Sequence, residues 1–383
     1  MARKRRDSKN TKAKLDGAPG SIWRAEWFLG FSLATAAVFA FSGESIYARL
    51  DNPLWLAFVF AWLFGTVMAS ALNVVRHADH VAEILGEPYG TLVLTLSVTA
   101  IEVISITAVM LHGDNNPTLV RDTLFAIVMI ILGGMVGVAL LAGGWRYREQ
   151  HYNLQSANTY LSVIIPLALL TLSLPNFTVT TPGPTLSTAQ QAFLVVVSIG
   201  LYCAFLAIQT GRHRRYFMSE EEAEEPSHAA TGGRGLACHA VLLVAYILPV
   251  VLLAEQLAHP IDYLIETLKV PAPLGGVIIA MLVATPEAIS ATRSAWMNKV
   301  QRSINIFLGS VLSTIGLTVP IMLVISYLTA HEVFLGLAGA NEMLLAVTLA
   351  VSVVTFASGR TNILQGAVHV VLFAAFVMLI FQG

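Results

Sequence analysis

Two short stretches of the chain each place one carboxylate inside a long apolar run. "VTAIEVIS" at 98–105 contains Glu102, and "VATPEAIS" at 283–290 contains Glu287. A charged side chain at the centre of a membrane helix costs about 2.5–3.5 kcal/mol to insert, so such residues usually face a bundle interior and have a function. A buried ion pair is one alternative, but almost every basic residue lies near the end of an apolar run. A protonated, hydrogen-bonded glutamate is another, and it explains one site more readily than two.

A pair of facing carboxylates has a definite chemistry. It suits a hard cation, because Ca²⁺ takes its ligands from carboxylates, carbonyls and water. The same pair can bind protons instead. If cation and protons compete for one site that opens alternately to each side, the result is antiport. Two glutamates balance one Ca²⁺ against two protons, or Na⁺ or K⁺ against fewer.

Further oxygen ligands are expected near the glutamates. Thr99 precedes Glu102 by three residues, and Ser310 and Thr314 share one stripe of a later helix. Hydroxyls in membrane helices more often donate to the carbonyl four residues back, so each is a weaker candidate than the glutamates. Pro286 lacks an N–H and is expected to open its helix and free a carbonyl beside Glu287.

The composition indicates the elements that hold these residues. The 383 residues are 56% hydrophobic and 12% charged, against about 25% charged in a typical soluble domain. The mean hydropathy is +0.72. Apolar stretches near 20 residues recur along the whole chain, which is typical of an all-α polytopic membrane protein. Hydropathy predicts eleven transmembrane helices, at 27–43, 53–75, 89–111, 122–144, 158–174, 189–209, 237–258, 273–296, 303–328, 342–357 and 362–381.

The basic residues predict the orientation. With the amino terminus inside, all but three of the 22 Lys and Arg residues lie on the cytoplasmic side, the exceptions being Arg49, Arg121 and Lys269. The positive-inside rule therefore favours a cytoplasmic amino terminus and an external carboxyl terminus. The expected location is a bacterial inner membrane.

Eleven helices divide into one extra helix and two groups of five. When Glu102 is aligned with Glu287, "GTLVLTLSVTAIEVIS" at 90–105 matches "GGVIIAMLVATPEAIS" at 275–290 without a gap. The two helices run in opposite directions in the predicted topology, which is the pattern of an inverted repeat with a site near the membrane midplane. Each glutamate lies twelve residues beyond its glycine, or about 18 Å along a helix, near the middle of the bilayer core.

The predicted organisation has five parts, and chance similarity between two apolar helices is the alternative to the repeat. Two further features are left open: an acidic loop within the linker, which is a solvated connection by default, and His369, which is either a proton relay or a packing histidine. No cofactor, nucleic-acid partner or common catalytic motif is indicated. The parts are a basic cytoplasmic tail at 1–26, a first helix and loop at 27–52, a first repeat at 53–209, a cytoplasmic linker at 210–236 and a second repeat at 237–383.

Six strings of the sequence together identify a family resemblance: "VVRHAD" at 74–79, "GEPYGTLVLTLSV" at 86–98, "PTLVRDT" at 117–123, "GGMVG" at 133–137, "VQRSINIFLGSVLSTIGLTVP" at 300–320 and "SGRTNILQGAVHVVLFAAF" at 358–376. The chain resembles a ChaA-type calcium (sodium, potassium)/proton antiporter of the cation/Ca²⁺ exchanger superfamily. The resemblance implies eleven helices, two inverted repeats after an extra helix, and cation/proton exchange across the inner membrane. It also implies ion binding by Glu102 and Glu287 and by hydroxyls at Ser310 and Thr314.

The first repeat departs from this pattern. Met129 and Gly133 stand where the second repeat has Ser310 and Thr314, which predicts an unequal site with few side-chain oxygens. The sequence therefore predicts an antiporter that exports Ca²⁺, with Na⁺ and K⁺ left open as cargoes. A monovalent-only antiporter is the alternative, and a cation channel or a membrane-embedded enzyme is less favoured.

Overall fold

The computed structural model describes residues 26–85, 89–112, 116–218 and 235–382. Over these residues it is helical, with eleven helices long and apolar enough to cross a membrane, which confirms the predicted number. Most of the predicted basic tail and of the acidic linker lie outside the described residues. The helices are α1 Trp27–Tyr47, α2 Pro53–Leu85, α3 Tyr89–Met110, α4 Leu119–Tyr147, α5 Leu154–Leu172, α6 Thr188–Ala207, α7 Leu236–Asp262, α8 Pro273–Trp296, α9 Val300–Thr329, α10 Gly339–Phe356 and α11 Ile363–Gln382.

Helix ends extend beyond the hydropathy limits where the sequence turns polar. The second helix was predicted to end at residue 75 but continues to Leu85 through "RHADHVAEIL". This stretch is too polar to count as a membrane span, yet nothing in it breaks a helix. Side-chain caps fix two starts: Asn153 accepts from the Gln155 N–H ahead of α5, and Ser187 forms a capping box with Gln190 at α6.

The helix pairs follow the predicted repeat. The first helices of the two groups, α2 and α7, pack along each other. The contact of α4 with α11 is matched by the contact of α9 with α6. In the same way, the contact of α3 with α7 is matched by the contact of α8 with α2. A two-stranded antiparallel ladder, β1 Gln150–His151 with β2 Arg360–Thr361, joins the α4–α5 and α10–α11 connections. Both connections were predicted to lie on the cytoplasmic side, and the ladder requires that they share one side.

Two apolar clusters make up the core. One is built around α1, α2 and α7, and the other around α4, α5, α6, α9, α10 and α11. α3 belongs to both, because Val98 and Ile101 pack in the first cluster while Ile106 and Val109 pack in the second. α8 is divided in the same way. The helices that carry the glutamates therefore lie between the two halves of the core.

The irregular backbone is not where the sequence predicted it. Pro286 lies inside a continuous helix, Pro273–Trp296, so the expected break beside Glu287 was wrong. The wide π-helical turns lie instead in α4 at Ile130–Met135 and in α9 at Thr314–Thr318. The two turns occupy nearly corresponding positions in the two groups of helices. Such turns occur mostly as single-turn features and frequently at functional sites.

Candidate cation site

Glu102 is a buried carboxylate on α3. Its side chain is only 2% exposed, and the Thr314 hydroxyl of α9 donates to its Oε2 at 3.0 Å. Its other oxygen, Oε1, has no hydrogen-bond partner among the described residues. The ion pairs found in the described part of the chain do not include it. The alternative of a buried ion pair therefore finds no support at this residue.

Glu287 is half-buried on α8. The Ser310 hydroxyl of α9 donates to its Oε2. The described ion pairs do not include this carboxylate either. Like Glu102, it has been placed in an apolar helix with a neutral hydroxyl as its hydrogen-bond donor.

One helix brings the two glutamates together. Ser310 and Thr314 are four residues apart on α9, about 6 Å along the axis, and each donates to a glutamate from a different predicted repeat. The two carboxylates therefore lie beside neighbouring turns of one helix. The structure thus brings together four of the five predicted site residues.

The fifth predicted residue, Thr99, is not placed in a hydrogen bond with Glu102. It is 3% exposed, and its Oγ1 has no partner among the residues that the structure describes. Its role as a ligand stays a prediction. Other hydroxyls near the site satisfy themselves locally: Thr285 donates to the Met281 carbonyl at 2.5 Å and Ser313 to the Ser310 carbonyl at 2.9 Å.

The corresponding face of α4 offers no hydroxyl. Met129 is fully buried, and its sulfur accepts from the Thr348 hydroxyl at 3.5 Å. Gly133 faces α11, where an added Cβ would lie 3.1 Å from the Cβ of Phe373. The predicted inequality of the two halves is present in the structure: the serine and threonine that hold both carboxylates come from α9.

Thr318 was missed by the sequence analysis. It ends the π-turn of α9, is fully buried, and lies near enough to Glu102 to act on its charge, although outside hydrogen-bonding geometry. The spacing could have found it, because Thr318 follows Thr314 by the same four residues that separate Thr314 from Ser310.

His369 makes a hydrogen bond between two helices. It is fully buried on α11, and its Nε2 lies 2.9 Å from the Thr355 hydroxyl of α10. This contact joins two neighbouring helices and does not include either glutamate.

The donor set of the site consists of oxygen atoms, two carboxylates and two hydroxyls. Hard cations such as Ca²⁺, Na⁺ and K⁺ are the ions that such donors bind best. The hydroxyls carry no charge, so the negative charge of the carboxylates must be balanced by a bound cation or by protons.

Comparison with known proteins gives consistent similarities. The family model described as "Sodium/calcium exchanger protein" matches residues 55–211 and again 238–382. The sodium-potassium/proton antiporter ChaA of Escherichia coli (strain K12) is 38% identical over 333 residues, 86% of this chain and 90% of that protein. The putative ionic transporter y4hA of Sinorhizobium fredii is 41% identical over 83% of this chain and 86% of its own length. The Ca²⁺/H⁺ antiporter ChaA of Bacillus subtilis (strain 168) is 24% identical over 84% and 91%.

Solved structures share the fold. Native YfkE matches with a TM-score of 0.71 at 18% identity, covering 93% of this chain and 100% of that one. The H⁺/Ca²⁺ exchanger CAX matches with a TM-score of 0.68 at 16% identity, covering 95% and 89%. The predicted arrangement of eleven helices is therefore a known fold.

Proposed function

Since the chain belongs to the sodium/calcium exchanger protein family, we propose that it exports Ca²⁺ in exchange for protons, with Na⁺ or K⁺ as further cargoes. At the coarser level it is a cation/proton antiporter, a multi-pass membrane transporter and not an enzyme. The finer assignment of cargo and mechanism rests on the site.

In this mechanism Glu102 and Glu287 bind the cation and the protons alternately. The observation that carries it is the pair of hydrogen bonds from Ser310 and Thr314, which hold carboxylates from two different helices beside one stretch of α9. Each hydroxyl orients its carboxylate without neutralising it. One Ca²⁺ or two protons then balance the same two charges, so the exchange is coupled through shared occupancy of one site.

A monovalent-only antiporter is the second candidate. The E. coli relative, described as a sodium-potassium/proton antiporter, favours it. So does the small number of side-chain oxygens, because Ca²⁺ takes six to eight oxygen ligands. In this version Na⁺ or K⁺ replaces fewer protons at the same two glutamates.

Vesicle transport tests the proposal. The purified protein is reconstituted into liposomes, a pH gradient is imposed, and Ca²⁺, Na⁺ and K⁺ movement is followed together with proton movement. We expect saturable exchange that falls to background in Glu102→Gln and in Glu287→Gln, because each substitution removes a charge that the cation must balance.

Glu149→Gln is the matched control. Glu149 is about half exposed and pairs with Arg360 at 3.5 Å in a connection between helices, so its loss is expected to leave exchange intact. Exchange that survives either midplane substitution would disprove the glutamate mechanism. Exchange of Na⁺ and K⁺ without Ca²⁺ would select the second candidate, and cation current uncoupled from protons would indicate a channel.

The proposed location is a bacterial plasma membrane with the amino terminus in the cytoplasm. The support is the distribution of Lys and Arg, together with the ladder between the α4–α5 and α10–α11 connections. In this orientation α3 and α9 run outward and α8 runs inward. Glu102 and Glu287 then lie on helices that cross the membrane in opposite directions.

A further inference from the structure

Buried oxygen atoms without hydrogen-bond partners gather around Glu102. Besides its own Oε1, they are the hydroxyls of Thr99, Ser105 and Thr318, each unpartnered among the described residues and each at least 97% buried. Buried polar atoms are nearly always hydrogen-bonded, so a group of unpartnered ones needs an explanation. Two of the three hydroxyls, Ser105 and Thr318, lie on the carboxyl-terminal side of the glutamate and its threonine.

Ser105 and Thr318 lie at one level between α3 and α9. The two helices run in the same direction, because Glu102 meets Thr314 at 3.0 Å and Thr107 meets Met322 at 3.6 Å. Ser105 falls between Glu102 and Thr107 on α3, and Thr318 falls between Thr314 and Met322 on α9. Ser105 is three residues beyond Glu102, a rise of about 4.5 Å along the helix.

Thr318 lies in the π-turn of α9, and its hydroxyl makes none of the usual bonds within the helix. Threonine in a membrane helix usually donates to the carbonyl four residues back, as Thr66 does to Trp62 at 2.7 Å. For Thr318 that carbonyl belongs to Thr314, which accepts the backbone N–H of Val319 across the wider turn and no bond from the Thr318 hydroxyl. The Thr318 side chain lies close to Glu102.

A cavity lies further along the same direction. It has a volume of about 220 Å³ and is lined by the end of α3 at Val109 and Met110 and by the carboxylates Asp262 and Glu266 of the α7 end. Val109 follows Ser105 by four residues, one turn of α3. Ser105 and Thr318 thus occupy the level between the buried glutamate and an opening with carboxylates at its edge.

We propose that Ser105 and Thr318 form a neutral oxygen step that the cation occupies between Glu102 and this cavity. The inference rests on the proposed function and assigns a route for it, on the outer side in the proposed orientation. Two hydroxyls replace part of the hydration shell of the ion but hold it weakly, because they have no charge. Conduction needs such sites, which bind well enough to be entered and weakly enough to be left.

The other half of the protein has no equivalent of Thr318. The aligned residue on α4 is Gly137, where an added Cβ would lie 2.9 Å from the backbone nitrogen of Val370. Helix α11 therefore fills the space that a side chain at position 137 would need. The step is a feature of one side of the membrane and distinguishes the outer route from the inner one.

The test compares Thr318→Val with Thr318→Ser in the reconstituted system. Valine keeps the shape and removes the hydroxyl, whereas serine restores it. We expect Thr318→Val to lower the maximal Ca²⁺, Na⁺ or K⁺ exchange rate about tenfold, which corresponds to one lost ligand interaction. Equilibrium binding of the cation to the detergent-solubilised protein should change little, and Thr318→Ser should exchange like the unaltered protein. Ser105→Ala should reproduce the loss of rate.

Thr361→Val is the matched control, because Thr361 is another buried hydroxyl without a partner among the described residues, and it lies on β2 in the α10–α11 connection. The inference is wrong if Thr318→Val exchanges as fast as Thr361→Val, or if serine fails to restore the rate. It is also wrong if cation binding falls as far as the rate, since Thr318 would then belong to the glutamate site itself. Absence of exchange in the unaltered protein would instead reject the proposed function, and the route with it.

Discussion

Glu102 and Glu287 occupy aligned positions but do not have equal surroundings. Glu102 is sealed from solvent and has buried hydroxyls around it, whereas Glu287 is half-buried and receives one hydrogen bond, from Ser310. A carboxylate that is more deeply buried has more to gain from a bound cation or proton. We therefore expect the two residues to contribute unequally to the proposed site.

The hydroxyls of α9 give a prediction at the scale of single residues. Ser310→Ala removes the donor to Glu287, and Thr314→Val removes the donor to Glu102. Each change is expected to weaken the apparent cation affinity about tenfold, because a hydrogen bond to a charged group is worth about 1.5–3 kcal/mol. The measurement is the cation concentration that gives half-maximal exchange in liposomes.

Ser313→Ala is the comparison for that experiment. Ser313 lies on the same helix and is 3% exposed, but its hydroxyl donates to the Ser310 carbonyl and not to a carboxylate. Its removal should leave the half-maximal concentration unchanged. Equal losses in all three variants would mean that the hydroxyls stabilise α9 and do not act on the glutamates.

The glutamates could be predicted from the sequence because an unpaired carboxylate in an apolar helix is costly and therefore informative. Ser310 and Thr314 came from their spacing and from the family resemblance. Thr318 continues the same four-residue spacing, but the sequence does not show that its hydroxyl lacks a bond within the helix, because that depends on the local geometry of the π-turn. The structure leaves the ligand role of Thr99 untested.

At the scale of elements, the irregular backbone lies in the wide turns of α4 and α9, and the turn of α9 begins at Thr314 of the site. The sequence had predicted irregular backbone in α8, at Pro286. The sequence of a π-turn does not differ in composition from that of an α-helix, so hydropathy could not locate either turn. The helix break expected at Pro286 was wrong, because a helix packed on several sides tolerates the loss of one backbone hydrogen bond.

The contact between α4 and α11 gives a prediction for helix packing. Gly366 of α11 approaches α4 so closely that an added Cβ would lie 2.7 Å from the backbone nitrogen of Leu141. Backbone atoms cannot move aside as a side chain can. Gly366→Ala is therefore expected to destabilise the protein by about 1–3 kcal/mol, observed as a lower apparent melting temperature in detergent.

Gly200→Ala on α6 provides the reference, because an added Cβ there meets nothing within 4 Å. This variant should melt at the temperature of the unaltered protein or slightly above it, since alanine favours a helix more than glycine does. A Gly366→Ala protein as stable as the Gly200→Ala protein would contradict the close approach of α4 and α11.

For the whole molecule, the orientation can be tested with single cysteines. Cys203 and Cys238 are free and would first be replaced. Thr180→Cys then lies in the exposed connection after α5, and Ser358→Cys lies in the exposed connection after α10. Intact cells treated with a membrane-impermeant maleimide should label position 180, and position 358 should label only after permeabilisation. The opposite pattern would reverse the proposed topology.

The architecture was the most predictable part of the protein. Runs of about 20 apolar residues are imposed by bilayer thickness, so the number of helices follows from hydropathy alone. The lengths of α2 and α7 were underestimated because their ends leave the apolar core and continue as polar helix. Hydropathy could not predict which helix faces supply the hydroxyls, because that depends on how the side chains pack.

The supply of site hydroxyls by α9, with Met129 and Gly133 in their place on α4, has a kinetic consequence. If the two halves were chemically identical, turning the protein over in the membrane would change nothing, and mirror-image gradients would drive equal fluxes. With unequal halves that equality is no longer required. The ion gradients at which net exchange stops are still fixed by the number of ions exchanged, as thermodynamics requires, but we expect the cation to cross faster in one direction than in the other at equal driving force.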